Sequence, residues 1–329
     1  MSAVCSLRLY SPEDQGPPDR SNSRMTLREM FSGRMRPEMS GRAAKTIAEY
    51  HTLLSDWERL TDDPPIACLS RVQLFEFREQ LQQERYRGQF RSPATINKKF
   101  RTLRAMVRQC WPADSHNPGG LGACGYFLFP QELKETKKLP YIFSQDDLSR
   151  LYHACDLQSW PRRHAALTWR TILVTHFCCG PRTFDLLSLT WDDIDFGYRD
   201  CGAVSFAATK TSKLQRVPLH RAARSHLQAL RSVSRSRHVF PGFAATNKST
   251  IRRHWRKLRE AAGISATAVM EDMRKTCNTA YTDRWPGVGA WILGHKLGGV
   301  NAQNYYNPTR IVLEAVENLP VPECFREID

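Results

Sequence analysis

The sequence lacks the motifs that are typical of zinc-binding, thiol-redox, secreted and membrane-spanning proteins. Its ten cysteines are irregularly spaced, and the only close pair is Cys178 beside Cys179, so neither zinc-ligand spacing nor a CxxC redox motif is present. The N-terminus has no apolar segment typical of a signal peptide, and no apolar run is long enough to span a membrane. We therefore predict reduced, mostly buried thiols in a cytoplasmic protein with no disulfide framework.

The chain also lacks the acidic residues that would balance its lysines and arginines. Lys and Arg total 48 against 33 Asp and Glu, a net charge of +15. The excess is spread along the chain, with 22 − 16 = +6 for residues 1–139 and 26 − 17 = +9 for residues 140–329. A charge of this size favours a polyanionic partner, nucleic acid first and an acidic membrane surface second. Because both halves are basic, both can contact one polyanion.

Composition and chain breakers divide the sequence into four parts. Residues 1–24, rich in Ser, Pro, Gly and charge, predict a flexible tail. Residues 25–111 predict a small all-helical domain, and residues 112–140, dense in Pro and Gly, predict a linker. Residues 141–329 combine helical and strand patterns, as expected for an α+β domain. We predict a mainly α protein with a small antiparallel sheet, organised as two domains that clamp their partner.

Three helix starts are predicted in the first domain. Their signals are Thr46 with Glu49, Ser70 with Gln73, and Ser92 with Pro93. The third helix carries a row of cations beside its apolar face. Such a row is often only a solvated face, but the basic balance of the whole chain favours phosphate contact. The candidate DNA contacts on this helix are Lys98, Lys99, Arg101, Arg104 and Arg108.

The second domain has its own start and stop signals. Ser144 with Asp147 predicts a helix start, and Gly180 ends an apolar helix expected at about 163–179. Alternation near residues 203–206 and 217–219 predicts two strands joined by a turn at 211–212. Ser249 and Thr250 are the expected cap of another basic helix. Its candidate DNA contacts are Arg252, Arg253, Arg256, Lys257 and Arg259.

Residues 270–309 hold the side chains that suggest chemistry. Arg274 lies in a helical pattern, and the planar fork of an arginine matches phosphate oxygens. His295 can donate a hydrogen bond or move a proton near neutral pH. Tyr305 and Tyr306 are possible covalent nucleophiles, although a tyrosine needs activation. Together these residues indicate attack by a tyrosine on a phosphodiester.

Further motifs give this constellation a family resemblance. Arg182, in the sequence GPRTFD, precedes a Leu-rich segment that ends in Trp-Asp-Asp-Ile at 191–194. Lys210 lies seven residues before Val217, and Leu293 and Gly294 precede His295. With these boxes the chain resembles the phage-integrase family of tyrosine recombinases over residues 140–320. The first domain resembles the family's core-binding domain more loosely.

The resemblance implies a role for each position. Arg182 and Arg274 would clamp the scissile phosphate and stabilise the charge of the transition state. Lys210 would protonate the leaving 5′-hydroxyl, and His295 would hydrogen-bond the phosphate. Asp185 would orient the first arginine or support the fold around it. Lys213, in the same hairpin as Lys210, is a further candidate phosphate contact.

Two positions depart from the family pattern. Glu271 stands where the family usually has a histidine, and a carboxylate beside a scissile phosphate repels it. The family's usual spacing from His295 to the tyrosine falls on Asn304, and one extra residue in 296–301 brings Tyr305 into place. We therefore favour Tyr305 as the nucleophile and keep Tyr306 as the alternative.

The resemblance implies a site-specific DNA recombinase with a covalent 3′-phosphotyrosine, which needs no ATP, metal or other cofactor. The expected partners are double-stranded DNA and three further copies in a tetramer on two recombination sites. We expect residues 311–319 to dock on a neighbour, and an accessory DNA-bending factor is compatible with this reading. The expected localisation is cytoplasmic, at the nucleoid. Two alternatives remain open: a DNA-binding homologue whose cleavage Glu271 impairs, and a nicking and resealing enzyme like a type IB topoisomerase.

Overall fold

A computed structural model of the chain describes residues 25–66, 69–86, 88–110, 129–136, 139–207, 214–295 and 309–326. The chain separates into two compact units, Met1–Lys137 and Lys138–Asp329. Helices predominate in both units, and each unit has its own antiparallel sheet. Within the described ranges no helix is both long and apolar enough to cross a membrane.

The first unit is a helical domain with one short β-ribbon. Its core is apolar, and Trp57, Phe77 and Leu103 are fully buried in it. Its elements are α1 (Leu27–Met30), a π-helical turn (Phe31–Met35), α2 (Arg36–Glu38), α3 (Ala44–Thr61), α4 (Arg71–Gln83), β1 (Arg85–Tyr86), β2 (Gln89–Phe90) and α5 (Pro93–Cys110).

Local capping explains where these helices begin and where the sequence prediction was wrong. The capping box of Ser70 with Gln73 is confirmed at the start of α4. Helix α3 begins at Ala44, earlier than predicted, so Thr46 lies inside it and caps nothing. A capping box of Thr26 with Glu29 starts the helical run 27–38, which the apolar pattern did not predict. The β1–β2 ribbon also corrects the prediction of an all-helical domain.

Part of the predicted linker belongs to the first unit. Phe129 is buried in the core of that unit. The side chain of Asn97, on α5, donates to the carbonyl of Leu133 at 2.9 Å and accepts from its amide at 2.8 Å. Residues 129–136 are therefore fixed on α5, because a buried asparagine satisfies both backbone groups of one residue.

The second unit is an α+β domain. Its elements are α6 (Gln145–Ala154), α7 (Ala165–Cys179), α8 (Thr183–Leu187), β3 (Ile194–Asp195), β4 (Ala203–Ala207), β5 (Leu214–Pro218), α9 (Arg221–Val233), α10 (Pro241–Ala244), α11 (Lys248–Ala261), α12 (Asp272–Thr282), α13 (Val288–Ile292) and α14 (Thr309–Glu317).

Helix α7 is the central helix of this unit. All of its residues from Thr168 to Cys179 except Arg170 are buried, as expected of a helix that is apolar on nearly all sides. Helices α9 and α12 pack against it. The sheet has the order β3-β4-β5 and is antiparallel throughout, with Val204 opposite Val217. The C-terminal helix α14 packs its buried face, including Val312 and Val316, into the same core.

Most element types in this unit were predicted correctly, and some ends were not. Ser144 with Asp147 forms the predicted capping box of α6. The strands β4 and β5 are confirmed. Strand β3 is an additional strand of two residues, which is too short to show an alternating pattern in the sequence. The cap of α11 is Asn247, whose Oδ1 accepts from the amide of Thr250 at 2.9 Å, and not Ser249 or Thr250. The predicted turn at 211–212 lies outside the described residues.

Candidate active site

The turn that carries Arg182 is built by a glycine that ends α7. Gly180 has φ +57, and its amide donates to the carbonyl of His176 at 3.0 Å. A Cβ at this position would lie 2.7 Å from Sγ of Cys277 and 2.8 Å from Cδ1 of Leu293, so no other residue fits without displacement. After Pro181 the chain enters α8, and the Arg182 side chain is 53% exposed. The arginine is therefore presented outward from a tightly packed turn.

Arg274 joins the three motifs by its own hydrogen bonds. It lies half-buried on α12 and donates to the carbonyl oxygen of Gly180 through Nη1. Its Nη2 donates to the carbonyl oxygen of Leu293 at 2.8 Å and to Nε2 of His295 at 3.3 Å. A guanidinium has five N–H donors, so these three bonds leave two that no residue in the described ranges takes up. Arg274 thus holds both neighbouring backbone segments and still presents donors.

The turn that carries His295 is held from two sides. Gly294 has φ +66, which favours glycine, and the side chain of Gln215 lies against it. Nε2 of Gln215, on β5, donates to the carbonyl oxygen of Trp291 at 2.8 Å. Arg274 holds Leu293 from the opposite side. Since a guanidinium only donates, Nε2 of His295 is the acceptor of this contact and its proton lies on Nδ1.

The site is electropositive, and its groups act on one another. Burial, and then the charge of Arg182, lower the pKa of Arg274. Burial lowers the pKa of His295 as well, followed by the charges of Arg274 and Arg182. The carboxylate of Asp185 lies 3.6 Å from Nη1 of Arg182. An anion bound here would be favoured because two cations converge on it.

Glu271 lies at the entrance to the helix that carries Arg274. It is the N-cap residue of α12 and is exposed, and its side chain caps no backbone amide. No ion pair joins Glu271 to a cation anywhere in the described ranges. Its charge is therefore not neutralised by the parts of the protein that the structure describes.

Several supporting residues were not recognised from the sequence as part of the site. His176 is buried, and its Nε2 donates to the carbonyl oxygen of Pro181 at 3.1 Å, directly before Arg182. The Tyr281 hydroxyl donates to the carbonyl oxygen of Cys178 at 2.9 Å and so fixes α12 on α7. Gln215 belongs to the same group. The contacts of Tyr281 and Gln215 join residues that are distant in sequence, so no local pattern could have revealed them.

Comparison of the sequence with models of known protein families gives a match. The sequence model described as "Phage integrase family" matches residues 142–308, just over half of the chain. The chain belongs to the phage integrase family. No curated protein sequence matches it.

Solved integrase structures share its fold. One is a lambda integrase tetramer bound to a Holliday junction, with 18% sequence identity, a TM-score of 0.63, and coverage of 86% of this chain and 79% of that chain. Another is the Tn1549 transposon integrase in complex with transposon right end DNA, with 16% identity, a TM-score of 0.61, and coverage of 88% and 98%. The fold of this integrase-family chain is therefore shared well beyond the matched residues.

The structure places some of the predicted site residues together and leaves others undescribed. Arg182, Asp185, Arg274 and His295 converge as set out above, and Glu271 lies at the end of the same helix. Four predicted residues lie outside the described ranges: Lys210, Lys213, Tyr305 and Tyr306. The side chain of Arg108 is also not described.

The four cations of α5 whose side chains the structure describes make contacts within their own unit. Lys98 pairs with Glu49 at 2.6 Å, and Arg101 lies within 4 Å of carboxylates of Glu132 and Glu135. Arg104 stacks on the ring of Phe129. Lys99 is 11% exposed and pairs with Asp56 at 2.6 Å. Its prediction as a surface phosphate contact was therefore wrong, because the charge is used inside the domain.

The basic helix α11 presents most of its predicted cations. Ile251, Trp255 and Leu258 are buried, and the opposite face exposes Arg252, Arg253, Arg256 and Lys257. The exception is Arg259, which is 12% exposed and donates to the carbonyl oxygens of Ala266 and Ala268. Arg259 therefore supports the following loop and does not belong to the exposed basic face.

Proposed function

We propose that the protein is a site-specific DNA recombinase that cleaves and rejoins duplex DNA through a covalent 3′-phosphotyrosine. The observation that carries the proposal is the convergence of Arg182, Arg274 and His295 around an electropositive point, with donors of Arg274 left free. Such donors match the non-bridging oxygens of a phosphodiester. Membership of the phage integrase family supports the same chemistry.

The reaction assigns one task to each residue. The Tyr305 oxygen attacks phosphorus as its hydroxyl proton passes to solvent, the phosphotyrosine bond forms, and the bond from phosphorus to the 5′ oxygen breaks. Lys210 gives its proton to the departing 5′ oxygen. Arg182 and Arg274 stabilise the charge on the non-bridging oxygens, and Nδ1–H of His295 donates a further hydrogen bond. The 5′-hydroxyl of another strand then attacks the phosphotyrosine, the bond from phosphorus to the Tyr305 oxygen breaks, and the tyrosine regains its proton. One phosphodiester thus replaces another, so the bond energy is conserved and no ATP is consumed.

Duplex DNA would be held by both units, and recombination would take place in a tetramer on two sites. The exposed face of α11, with Arg252, Arg253, Arg256 and Lys257, is the proposed contact of the second unit with DNA. The lambda integrase described as a tetramer on a Holliday junction supports the tetramer. The predicted docking of residues 311–319 on a neighbour would need an apolar surface that is exposed in the single chain. The apolar face of α14 is already buried in its own core, so docking through that face would require it to be exchanged.

A DNA-binding protein without cleavage is the second candidate. It is favoured by Glu271, which begins the helix of Arg274 and pairs with no cation in the described ranges. The third, a topoisomerase-like nicking and resealing enzyme, uses the same site as a monomer. Trapping a covalent adduct separates the second from the others. Dependence on paired sites and tetramer formation separates the recombinase from the topoisomerase-like enzyme.

The test is incubation of the full chain with nicked suicide duplexes in EDTA and without ATP, followed by denaturing electrophoresis. The duplexes are drawn from sequence that flanks the gene in its host. We expect a slowly migrating DNA-protein band that disappears in Arg182→Ala and persists in Arg237→Ala, an exposed arginine of the same unit paired with Asp192. Absence of the band with DNA that the protein binds would favour the second candidate.

A further inference from the structure

The β1–β2 ribbon of the first unit is exposed on both faces. Arg85 lies opposite Phe90, and Tyr86 lies opposite Gln89. Side chains alternate between the faces of a strand, so these two pairs point to opposite sides. All four residues are exposed, with Tyr86 at 54% and Phe90 at 60%. Neither face of the ribbon is therefore used to build the core of its unit.

The base of the ribbon is fixed by an ion network. Arg91, which follows β2, is 7% exposed and pairs with Glu84 at 2.9 Å, the residue that precedes β1. Arg91 also pairs with Asp56 of α3 at 3.1 Å, and Arg59 joins Glu84 at 2.7 Å. An isolated two-stranded hairpin is only marginally stable in water. The network therefore holds the ribbon against α3 while its strands extend into solvent.

The ribbon also carries a positive charge that the unit does not neutralise. The sequence has no Asp or Glu from Arg85 to Ala113. Lys98, Lys99 and Arg101 in this stretch have carboxylate partners, as described above, whereas the guanidinium of Arg85 lies 5.0 Å from the centre of the ring of Phe90. No carboxylate pairs with Arg85 in the part of the chain that the structure describes. Its guanidinium is thus oriented by an aromatic ring and remains available to an anion.

We propose that the β1–β2 ribbon enters the major groove of duplex DNA and anchors the first unit there. The major groove, about 12 Å wide, admits a two-stranded ribbon, whereas the minor groove, about 6 Å wide, does not. Arg85 would contact phosphate or a guanine edge, and Phe90 would contact the apolar edge of thymine. This inference rests on the proposed function for its partner, duplex DNA.

The distribution of the aromatic rings favours DNA over a protein partner. Tyr86 and Phe90 lie on opposite faces of the ribbon, so they form no single apolar patch of the kind that a protein interface buries. A groove, by contrast, encloses a ribbon from both sides. The charge of Arg85, which no carboxylate in the described ranges neutralises, complements the phosphate walls of such a groove.

The experiment compares the wild-type chain with the double variant Arg85→Gln, Phe90→Ser. Binding is measured by fluorescence anisotropy on a mixed-sequence duplex of about 40 base pairs across a salt series. We expect the double variant to bind roughly ten-fold more weakly and the slope of log K against log salt to become shallower by about one. We also expect it to lose protection of guanine N7 against methylation, because N7 faces the major groove.

The matched control is Arg71→Gln. Arg71, at the start of α4, is exposed and its guanidinium lies 5.3 Å from the centre of the ring of Phe75, so it resembles Arg85 but lies outside the ribbon. We expect this variant to bind like the wild type, within about two-fold. Thermal unfolding of all variants checks that the fold is intact, which is expected because the altered side chains are exposed.

Each outcome has one meaning. Equal affinity, salt slope and N7 protection in the double variant and the wild type would overturn the role of the ribbon and leave the proposed function standing. If the double variant bound DNA normally but no longer self-associated in a native gel, a second copy would be the occupant and the proposal would also fail. A wild-type chain that bound no duplex would instead refute the proposed function.

Discussion

Arg274 has two tasks that no other basic side chain can combine. Its donors hold the carbonyl oxygens of Gly180 and Leu293, and its second Nη contacts His295. None of the described residues bonds the remaining N–H groups, so they can bind an anion. A lysine ammonium has three donors on a flexible stem and no planar fork, so it cannot hold both carbonyls and bind a phosphate in a bidentate manner.

We therefore predict that Arg274→Lys lowers the rate of single-turnover cleavage by a factor on the order of 10²–10³. DNA affinity should change by less than about ten-fold, because the basic face of α11 is untouched. Quenched-flow cleavage and anisotropy measure the two quantities separately. The control is Arg284→Lys, an exposed arginine just beyond the end of the same helix. A cleavage rate equal to that of the wild type would show that the guanidinium fork is not required.

Glu271 gives a second prediction for a single side chain. A negative charge near the scissile phosphate opposes its binding and its transition state. We expect Glu271→His to raise the rate of adduct formation by roughly ten-fold or more, since it removes the charge and supplies a donor. Glu271→Gln removes the charge alone and should give an intermediate rate. A lower rate in both variants would mean that the carboxylate assists the reaction, for example by orienting an arginine.

Among the secondary-structure elements, the sheet and the His295 turn are coupled by one side chain. Gln215 on β5 donates to Trp291 and covers Gly294, so the hairpin of β4 and β5 is tied to the segment that carries His295. The predicted Lys210 belongs to that hairpin in sequence. Movement of the hairpin and position of the histidine are therefore linked through one hydrogen bond.

We predict that Gln215→Leu lowers the cleavage rate by about ten-fold and leaves DNA affinity unchanged, because the donor to Trp291 is lost and no phosphate contact is removed. Gln215→Glu also removes the amide donor and should be slowed likewise. The matched control is Arg216→Gln. Arg216 is the next residue on β5, and its partner is Asp195 of β3, the strand at the other edge of the sheet. Equal slowing in the control would indicate a general weakening of the hairpin.

The elements that the sequence predicts well are those whose signal is local. Ser70 with Gln73 and Ser144 with Asp147 are capping boxes, and a capping box needs only four consecutive residues. The start of α11 was misplaced because Asn247, Ser249 and Thr250 are all good caps, and packing rather than propensity selects among them. The β1–β2 ribbon has only two residues in each strand and has no alternation to detect.

On the scale of the second unit, buried histidines couple stability to pH. Burial lowers the pKa of His176 from 6.5 to about 3 and that of His220 from 6.5 to about 4. In the unfolded chain both imidazoles bind protons below about pH 6.5. The unfolded state therefore binds more protons than the folded state in this range, and the free energy of unfolding falls as the pH falls.

Each of these two histidines should lower the free energy of unfolding by about 1.4 kcal/mol per pH unit between about pH 6 and pH 4.5. Urea unfolding followed by tryptophan fluorescence at several pH values measures the slope. His176→Gln keeps a donor for Pro181 but cannot bind a proton, so the slope should become shallower by about 1.4 kcal/mol per unit. An unchanged slope in this variant would show that His176 is not kept neutral by burial.

For the whole molecule, the site residues that lie in contiguous sequence motifs could be predicted. The residues whose role depends on tertiary contacts could not. Arg182, Arg274 and His295 each lie in a short recognisable box, and the structure brings the three together. Lys99 and Arg259 have the same local pattern as exposed cations, yet partners from other segments occupy them. The choice between Tyr305 and Tyr306 depends on the path of residues 296–308, which spacing alone does not fix.

The most direct test of the proposed chemistry is to locate the modified residue. The complex is trapped on a nicked suicide duplex, digested with protease and nuclease, and analysed by mass spectrometry for the wild type, Tyr305→Phe and Tyr306→Phe. We predict a 3′-phosphonucleotide on Tyr305 that is lost only in Tyr305→Phe. An adduct on Tyr306 would keep the chemistry and shift the nucleophile by one residue. Unmodified tyrosines on DNA that the wild-type protein demonstrably binds would contradict covalent cleavage.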